Sequence, residues 1–402
     1  MRTIAARLLL AATGGLFLAG CDVTNPGPIL DDDLNSIASV PVLVSGMSAD
    51  VSMALGGGAG GGGLLAISSL AGDDIWHGGS YVAQGLWVRG ILNPEDMNAI
   101  WARMHRARWV AEDGLKRMAA IPNYVNLNND TFSARANLYA GFANRMLGEH
   151  VCNSVIDGGP EGDFRLHFSR AQAYFAQALV VATKINDATL KNAAYAGLAQ
   201  VLAAQGKWNE AADTAAKVPT NFVYNSLHST NSTRENNDFA NETVVSRREY
   251  TVYNSRWASV TGDPRVKWVT TTQKGQDGVT PYYRQQKHLD LGADVALAKG
   301  TEMLMIRAEA KLRANDIPGA WTLVNLQRAF YQMAALPVPS DITAAWTTFQ
   351  TERAAVVWLE GRRFWDLRRW NAEPPPIKNT YLDSRDKCFP TSLEEQIANP
   401  NI

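Results

Sequence analysis

The stretch from Glu352 to Trp370 constrains this chain more than any other. Its 19 residues hold five Arg, two Glu, one Asp and three Trp, interleaved with aliphatics. Read at helical period, Phe349, Val356, Val357, Phe364 and Leu367 form one apolar stripe, and Arg353 and Glu360 fall on it. A charge in that position has to be paired, because an isolated buried charge is strongly unfavourable. Trp358, Leu359 and Trp365 fill the other side, so the segment is apolar nearly all round and is expected to be buried. Arg362 and Asp366 are four apart and can pair on one face. The stretch reads as a central helical strut, with Arg353, Glu360, Arg362 and Asp366 as buried pairs that lock helices together. No nucleophile or metal pattern accompanies these charges, so the reading is structural rather than catalytic.

Around the strut the chain reads as helix pairs. Residues 191–219 fit a tetratricopeptide unit, with Tyr195, Leu198 and Ala199 on the first helix, Gly206 in the turn and Ala211 at the crossing point. A second unit fits 301–331, with Leu304, Ala308, Asn315 in the turn, Ile317 and Ala320. A third is split: its first helix covers about 131–148, and Ala171, Phe175 and Ala178 mark its second. Asn93-Pro94-Glu95 reads as an N-cap, N1 proline and acidic first turn, opening a helix that ends near Ala120. The glycine run from Gly56 to Gly63 has no leading strand and no following Gly-Lys-Ser/Thr, so it reads as a flexible loop rather than a phosphate cradle. The fold class is therefore mostly all-α. Interrupted tetratricopeptide-like pairs at about 93–219 and 301–370 are separated by a loop-rich excursion at about 220–300.

The N-terminus reads as a targeting segment over residues 1–20. Arg2 and Arg7 precede an apolar core, Leu8 to Leu18, too short to span a bilayer. Leu18-Ala19-Gly20-Cys21 resembles the bacterial lipobox, in which the Cys (here Cys21) is acylated and becomes the mature N-terminus. Several acyl chains on one Cys hold a protein firmly to a membrane at about 0.8 kcal/mol per buried CH₂. The other cysteines, Cys152 and Cys388, favour a disulfide in an oxidising envelope compartment.

Net charge is −1, which gives no electrostatic footprint for nucleic acid. The six His are scattered without a zinc spacing, and no Gly-x-Ser-x-Gly elbow occurs. Neither a metal nor a cofactor is implied, and no catalytic residue stands out. Region 220–300 is rich in Asn, Thr, Ser and Tyr, and such excursions from a helical scaffold usually carry function. Aromatic rings in loop-rich settings suit the apolar faces of small ligands, sugars included. Trp76, Tyr81, Trp87, Tyr253, Trp257 and Tyr282 are the candidates for ligand contact.

Several motifs together resemble the SusD/RagB family of nutrient-uptake outer-membrane lipoproteins. Glu352-Arg353, Leu359-Glu360-Gly361-Arg362-Arg363 and Asp366-Leu367-Arg368-Arg369-Trp370 resemble its C-terminal signature. Phe389-Pro390-Thr391-Ser392-Leu393-Glu394-Glu395 with Asn399-Pro400-Asn401 resembles its tail. Arg307-Ala308-Glu309-Ala310 and the turn Gly262-Asp263-Pro264-Arg265 also resemble family motifs, and Asp73-Asp74 sits where the family often has an Asp-Glu pair. The chain is shorter than typical members, and its cysteine pair and glycine run are not general family features. The resemblance implies a mostly all-α fold, with tetratricopeptide-like helix pairs packed against an irregular, loop-rich ligand-binding half, and it implies no catalysis. It implies a lid-like partnership with a SusC-like TonB-dependent transporter barrel, an oligosaccharide or peptide ligand, and a surface-exposed outer-membrane location through the lipid anchor. It transfers no binding residue, because the family's aromatics belong to no shared motif. The competing reading is a tetratricopeptide scaffold lipoprotein that binds protein partners in envelope assembly. An anchored glycoside hydrolase would need two carboxylates about 5–10 Å apart in a cleft.

Overall fold

The computed structural model describes residues 31–57, 61–124 and 127–402. The leader and Cys21 lie outside the described residues. Two 3-10 turns lead into α1 (Val40–Gly56) and α2 (Gly63–Ala71). There follow β1 (Trp76–His77), α3 (Val82–Trp87), α4 (Asn98–Ala120) and α5 (Thr131–His150). A small hairpin, β2 (Asn153–Ser154) with β3 (Gly162–Asp163), precedes α6 (Leu166–Lys184), α7 (Ala188–Ala204) and α8 (Trp208–Ala215). The excursion holds β4 (Val223–Ser226), α9 (Asp238–Ala240), a π turn (Asn241–Val245), β5 (Tyr250–Thr251), β6 (Trp268–Lys274), β7 (Pro281–Gln285) and β8 (Val295–Lys299). The chain closes with α10 (Gly300–Arg313), α11 (Ile317–Phe330), α12 (Ile342–Val356), α13 (Arg363–Asn371) and α14 (Leu393–Ala398).

The mostly helical architecture agrees with the sequence reading. Short acidic side chains start the helices by taking an orphan backbone N–H. Asp130 accepts from Phe132 N (2.9 Å), Asp187 from Leu190 N (2.9 Å), Asp316 from Gly319 N (2.8 Å) and Asp341 from Ala344 N (2.9 Å). α5 packs on α6, α6 on α7 and α7 on α8, and α8 then meets α10, which pairs with α11. The units interrupted in sequence are thus continuous in space. Phe175 of α6 fits because α5 and α7 each present glycine to its ring: a Cβ at Gly141 or Gly197 would lie 2.6 or 2.4 Å from ring atoms.

Two regions differ from the sequence reading. α2 is buried along its whole length, beside a glycine run that gave no hint of it. The strut, read at helical period through Trp370, is in fact broken. α12 ends at Val356, and the chain turns through Leu359 (φ +52°) and Gly361 (φ +69°) before α13 begins. Gly361 adopts this left-handed conformation without steric penalty, whereas Leu359 is held in it by complete burial. The carbonyls that a continuous helix would occupy are satisfied from the β7–β8 segment instead. Lys299 Nζ donates to Val356 O (2.5 Å), Lys287 Nζ to Trp358 O, and His288 Nε2 to Leu359 O (2.9 Å).

The core has two hydrophobic clusters. The larger gathers α1, α2, α4–α8 and the excursion around residues such as Met47, Phe142, Phe168, Trp257 and Trp358. The smaller gathers α10–α13 around Trp321, Trp346, Phe349 and Trp370. Residues 37–56, with α1 at their centre, are long and apolar enough to cross a membrane, but Val44, Met47, Val51 and Leu55 are buried, making α1 a core helix. Cys152 and Cys388 form a disulfide (Cα–Cα 4.9 Å) between residues 236 apart. Beside it, Phe389 N donates to His150 O (2.7 Å) and Cys152 N to Phe389 O (2.9 Å), so the tail is stitched to the end of α5.

Candidate ligand-binding groove

The excursion builds a small sheet assembly on the larger cluster. β1 pairs antiparallel with β5, placing Trp76 opposite Thr251, and β6 pairs antiparallel with β7. Val252 N donates to Tyr283 O (2.9 Å), which joins the two pairs. Neighbouring residues of a strand point to opposite faces, so β7 sends Tyr282 inward and Tyr283 outward. Tyr282 is 1% exposed, and its hydroxyl donates to Thr243 O. Tyr283 stacks on Trp268 (centroids 5.2 Å, interplanar 1°), and Tyr253 meets Tyr283 edge-on (5.4 Å, 83°). The stacked pair is diagonal across the ladder, since Trp268 lies opposite Gln285, a reach that aromatic side chains span.

Beside this aromatic cluster opens a groove of about 720 Å³. Its wall is the turn from Val260 to Val266, and Lys267, Trp268, Val269, Thr270 and Gln286 complete it. Trp268 Nε1 donates to Val260 O (2.9 Å), which fixes the indole against the wall. The turn is held by its own chemistry. Asp263 accepts from Arg265 N (2.9 Å) and Arg265 Nε (2.9 Å) at Oδ1, and from Arg265 Nη2 (2.7 Å) at Oδ2. Burial would raise the Asp263 carboxyl, but the Arg265 bonds outweigh it and hold it below the usual carboxylate range. Arg265 also donates to Glu352 (2.6 Å) and Gln327 (3.1 Å), and Glu352 takes a further bond from Arg328 (2.8 Å). The groove wall is therefore bolted to the start of the charged C-terminal stretch.

That stretch is a seam of paired charges. Arg353 bonds Asp366 (2.7 Å) and approaches Glu302 (3.3 Å), and Asp366 also holds Arg369 (2.8 Å). Glu360 pairs with Lys287 (2.6 Å) and with Lys299. Burial would raise the Glu360 carboxyl, but the two ammoniums dominate and lower it. Arg362 reaches Glu149 of α5 (2.8 Å) and Glu302 of α10 (3.1 Å). The Arg362–Asp366 contact read from their spacing does not form as an ion pair. The helix break leaves Arg362 at the N-cap of α13, from where its side chain runs to α5 and α10. Glu309 binds Arg369 (2.7 Å) and Trp370 Nε1 (3.2 Å). Asp73 pairs with Arg363 (2.8 Å), and buried Asp74 accepts from Trp257 Nε1 (2.9 Å).

The six aromatics read as ligand contacts are distributed between core and surface. Trp257 (1% exposed), Tyr282 and Trp87 are buried and pack inside the fold. Trp76 is half-buried on β1. Tyr81 is exposed, but Arg247 lies over its ring at 4.8 Å. Tyr253 alone among them belongs to the exposed cluster beside the groove. Trp268, Tyr283, Lys267 and Gln286 were not singled out from the sequence. Strand alternation carried the missing signal, since Tyr282 and Tyr283 cannot face the same side. Among the described residues, no group of three or more His, Cys, Asp or Glu is placed to hold a metal ion.

The model of the SusD family matches residues 228–401, a span containing both the groove and the seam. Over that span the chain is similar to the SusD family. The chain also shares its fold with solved structures over nearly its whole length. A laminarin binding SusD-like protein is 16% identical, with a TM-score of 0.67 over 91% of this chain and 100% of that chain. Surface glycan-binding protein A from Bacteroides uniformis is 15% identical, with a TM-score of 0.68 over 91% and 98%. A SusD-like carbohydrate binding protein from Bacteroides vulgatus is 16% identical, with a TM-score of 0.66 over 91% and 97%. No curated protein matches the sequence.

Proposed function

We propose that this chain is a non-catalytic, lipid-anchored binding protein of the SusD family at the outer-membrane surface. It captures a nutrient, a glycan in preference to a peptide, and delivers it to a TonB-dependent transporter barrel. The open groove beside Trp268, Tyr283 and Tyr253 carries the reading, because stacked rings next to a few polar groups suit the apolar face of a sugar. The neighbours described as laminarin-binding and glycan-binding share this fold and favour a glycan. Non-catalysis is supported by the lining, in which Asp263 is the sole carboxylate residue and is tied to Arg265. Acid–base glycoside hydrolysis needs a pair of them about 5–10 Å apart. The Cys21 lipobox supports the anchor, and region 220–300 keeps an aromatic-lined groove that a pure scaffold protein would not need.

Full-length protein extracted in mild detergent should bind an oligosaccharide by calorimetry and release no product on prolonged incubation. It should also co-purify with a large barrel protein. Release of shortened sugars would overturn the binding-only reading, and a clean monomer from gently solubilised membranes would overturn delivery to a transporter.

A further inference from the structure

We propose that the groove takes an acidic oligosaccharide whose sugars carry a carboxylate, and that Lys267 and Gln286 read that carboxylate. The proposal rests on the glycan-binding reading above and adds the ligand's charge class.

The groove lining holds one cation, Lys267, and one carboxylate, Asp263. Lys267 is exposed, and its ammonium forms no ion pair among the described residues. Gln286 Nε2 is buried and has no hydrogen-bond partner there. Gln286 N donates to Lys267 O (2.8 Å), so the two residues sit side by side just beyond the paired ends of β6 and β7. A buried amide donor without a partner is unfavourable by about 1–3 kcal/mol, which a ligand acceptor would recover. Asp263, which could otherwise accept hydrogen bonds from sugar hydroxyls, is engaged at both oxygens by Arg265. A neutral sugar brings no charge to meet the Lys267 ammonium. A sugar carboxylate brings acceptors only. It would take charge-assisted bonds from the ammonium and the amide while a ring face packs against Trp268.

The test titrates full-length, detergent-extracted protein with three probes: oligogalacturonate, a sulfated galactan oligosaccharide and a neutral laminari-oligosaccharide. Oligogalacturonate should bind, and more weakly as salt is raised. Lys267→Gln should weaken it about 10- to 100-fold, as expected for losing one hydrogen bond to a charged group. Lys267→Arg should restore most of that loss, and Gln286→Ala should weaken binding by a smaller factor. Because Lys267 is exposed, the melting temperature should not move. Oligogalacturonate binding that is unaltered in Lys267→Gln and Gln286→Ala would overturn the proposal. So would a Lys267 dependence confined to the sulfated probe, or binding of the neutral probe alone through Trp268. That last result would leave the glycan reading standing. If Trp268→Ala changes no probe's binding, or no probe binds, the groove reading itself fails and takes the proposal with it.

Discussion

In the seam around the α12–α13 break, Arg353, Glu360, Arg362 and Asp366 are each buried against opposite charge. In the groove beside β6 and β7, the Lys267 ammonium and the Gln286 amide nitrogen have no partner among the described residues. Both regions are dense in the side chains that usually signal function. The difference is satisfaction. A buried charge that already has its counter-charge and hydrogen bonds holds the protein together, and removing one member leaves the other stranded. A donor left open beside partly exposed rings is available to something outside. One residue touches both worlds: Arg265 clamps the groove wall through Asp263 and the seam through Glu352.

The sharpest way to break this comparison is Glu360→Ala. It strands Lys287 and Lys299, and about 3–5 kcal/mol of stability should be lost, read by chemical denaturation. Ligand affinity of the fraction that stays folded should be unchanged. A normally folded variant with selectively lost binding would move the seam into the binding machinery.

Asp74 tests the seam's edge by pH. Burial first, then neighbouring Asp73, pushes its carboxyl up to about 7, against the opposing pull of Arg363, Trp257 and Arg256. In the unfolded chain it ionises near 3.8, so between there and about 7 the folded state holds a proton that the unfolded state has released. Stability from this group is therefore greatest at low pH and declines as pH rises through that window, by a few kcal/mol on the order-of-magnitude scale. Asp74→Asn keeps an acceptor for Trp257 and should erase the decline, gaining on the wild type as pH rises to 7. A stability difference that is flat across the window would show that Asp74 is ionised in the folded protein.

Breaking the disulfide acts on the same half of the molecule. Cys152→Ser with Cys388→Ser should remove about 2–4 kcal/mol through the long loop it closes, seen as a lower melting temperature that reductant no longer changes. Binding in the groove should survive in the folded variant. Loss of binding at full stability would mean that the tail reaches the ligand site.

The helix pairs were legible because period and small-residue spacing are local. Gly206 and Asn315 sit at the left-handed turns the pattern required (φ +75° and +59°). The break at Leu359–Gly361 was not legible. Its apolar period runs straight through, and the carbonyls freed by the turn are satisfied by Lys287, His288 and Lys299, 57 to 71 residues away. The seam's own residues carry a helical spacing that marks them as charge on an apolar stripe, whereas Glu149, Glu302, Lys287 and Lys299, which complete it, come from other elements and carry no spacing signal. At the groove the obstacle was parity. Composition marks an aromatic-rich excursion but does not say which face each ring takes, so Trp257 and Tyr282 were marked alongside Tyr253 and proved to be core.

That parity makes the last and smallest effect the most discriminating. Trp268→Ala removes a half-buried ring that stacks on Tyr283 and lines the groove. The loss of the ring pair should lower stability by about 1 kcal/mol. Ligand affinity should fall by about 2 kcal/mol, a factor near 30, because a central aromatic contact is where binding energy concentrates. Tyr282→Phe, one residue from Tyr283 on the same strand, is the control. It deletes only the hydroxyl bonded inward to Thr243 and should leave affinity untouched while stability drops by a similar small amount. If the two variants exchange these signatures, with binding following Tyr282 and stability following Trp268, the outward face of β7 is not the recognition surface. The comparison between a satisfied seam and an open groove would then have been drawn on the wrong side of the sheet.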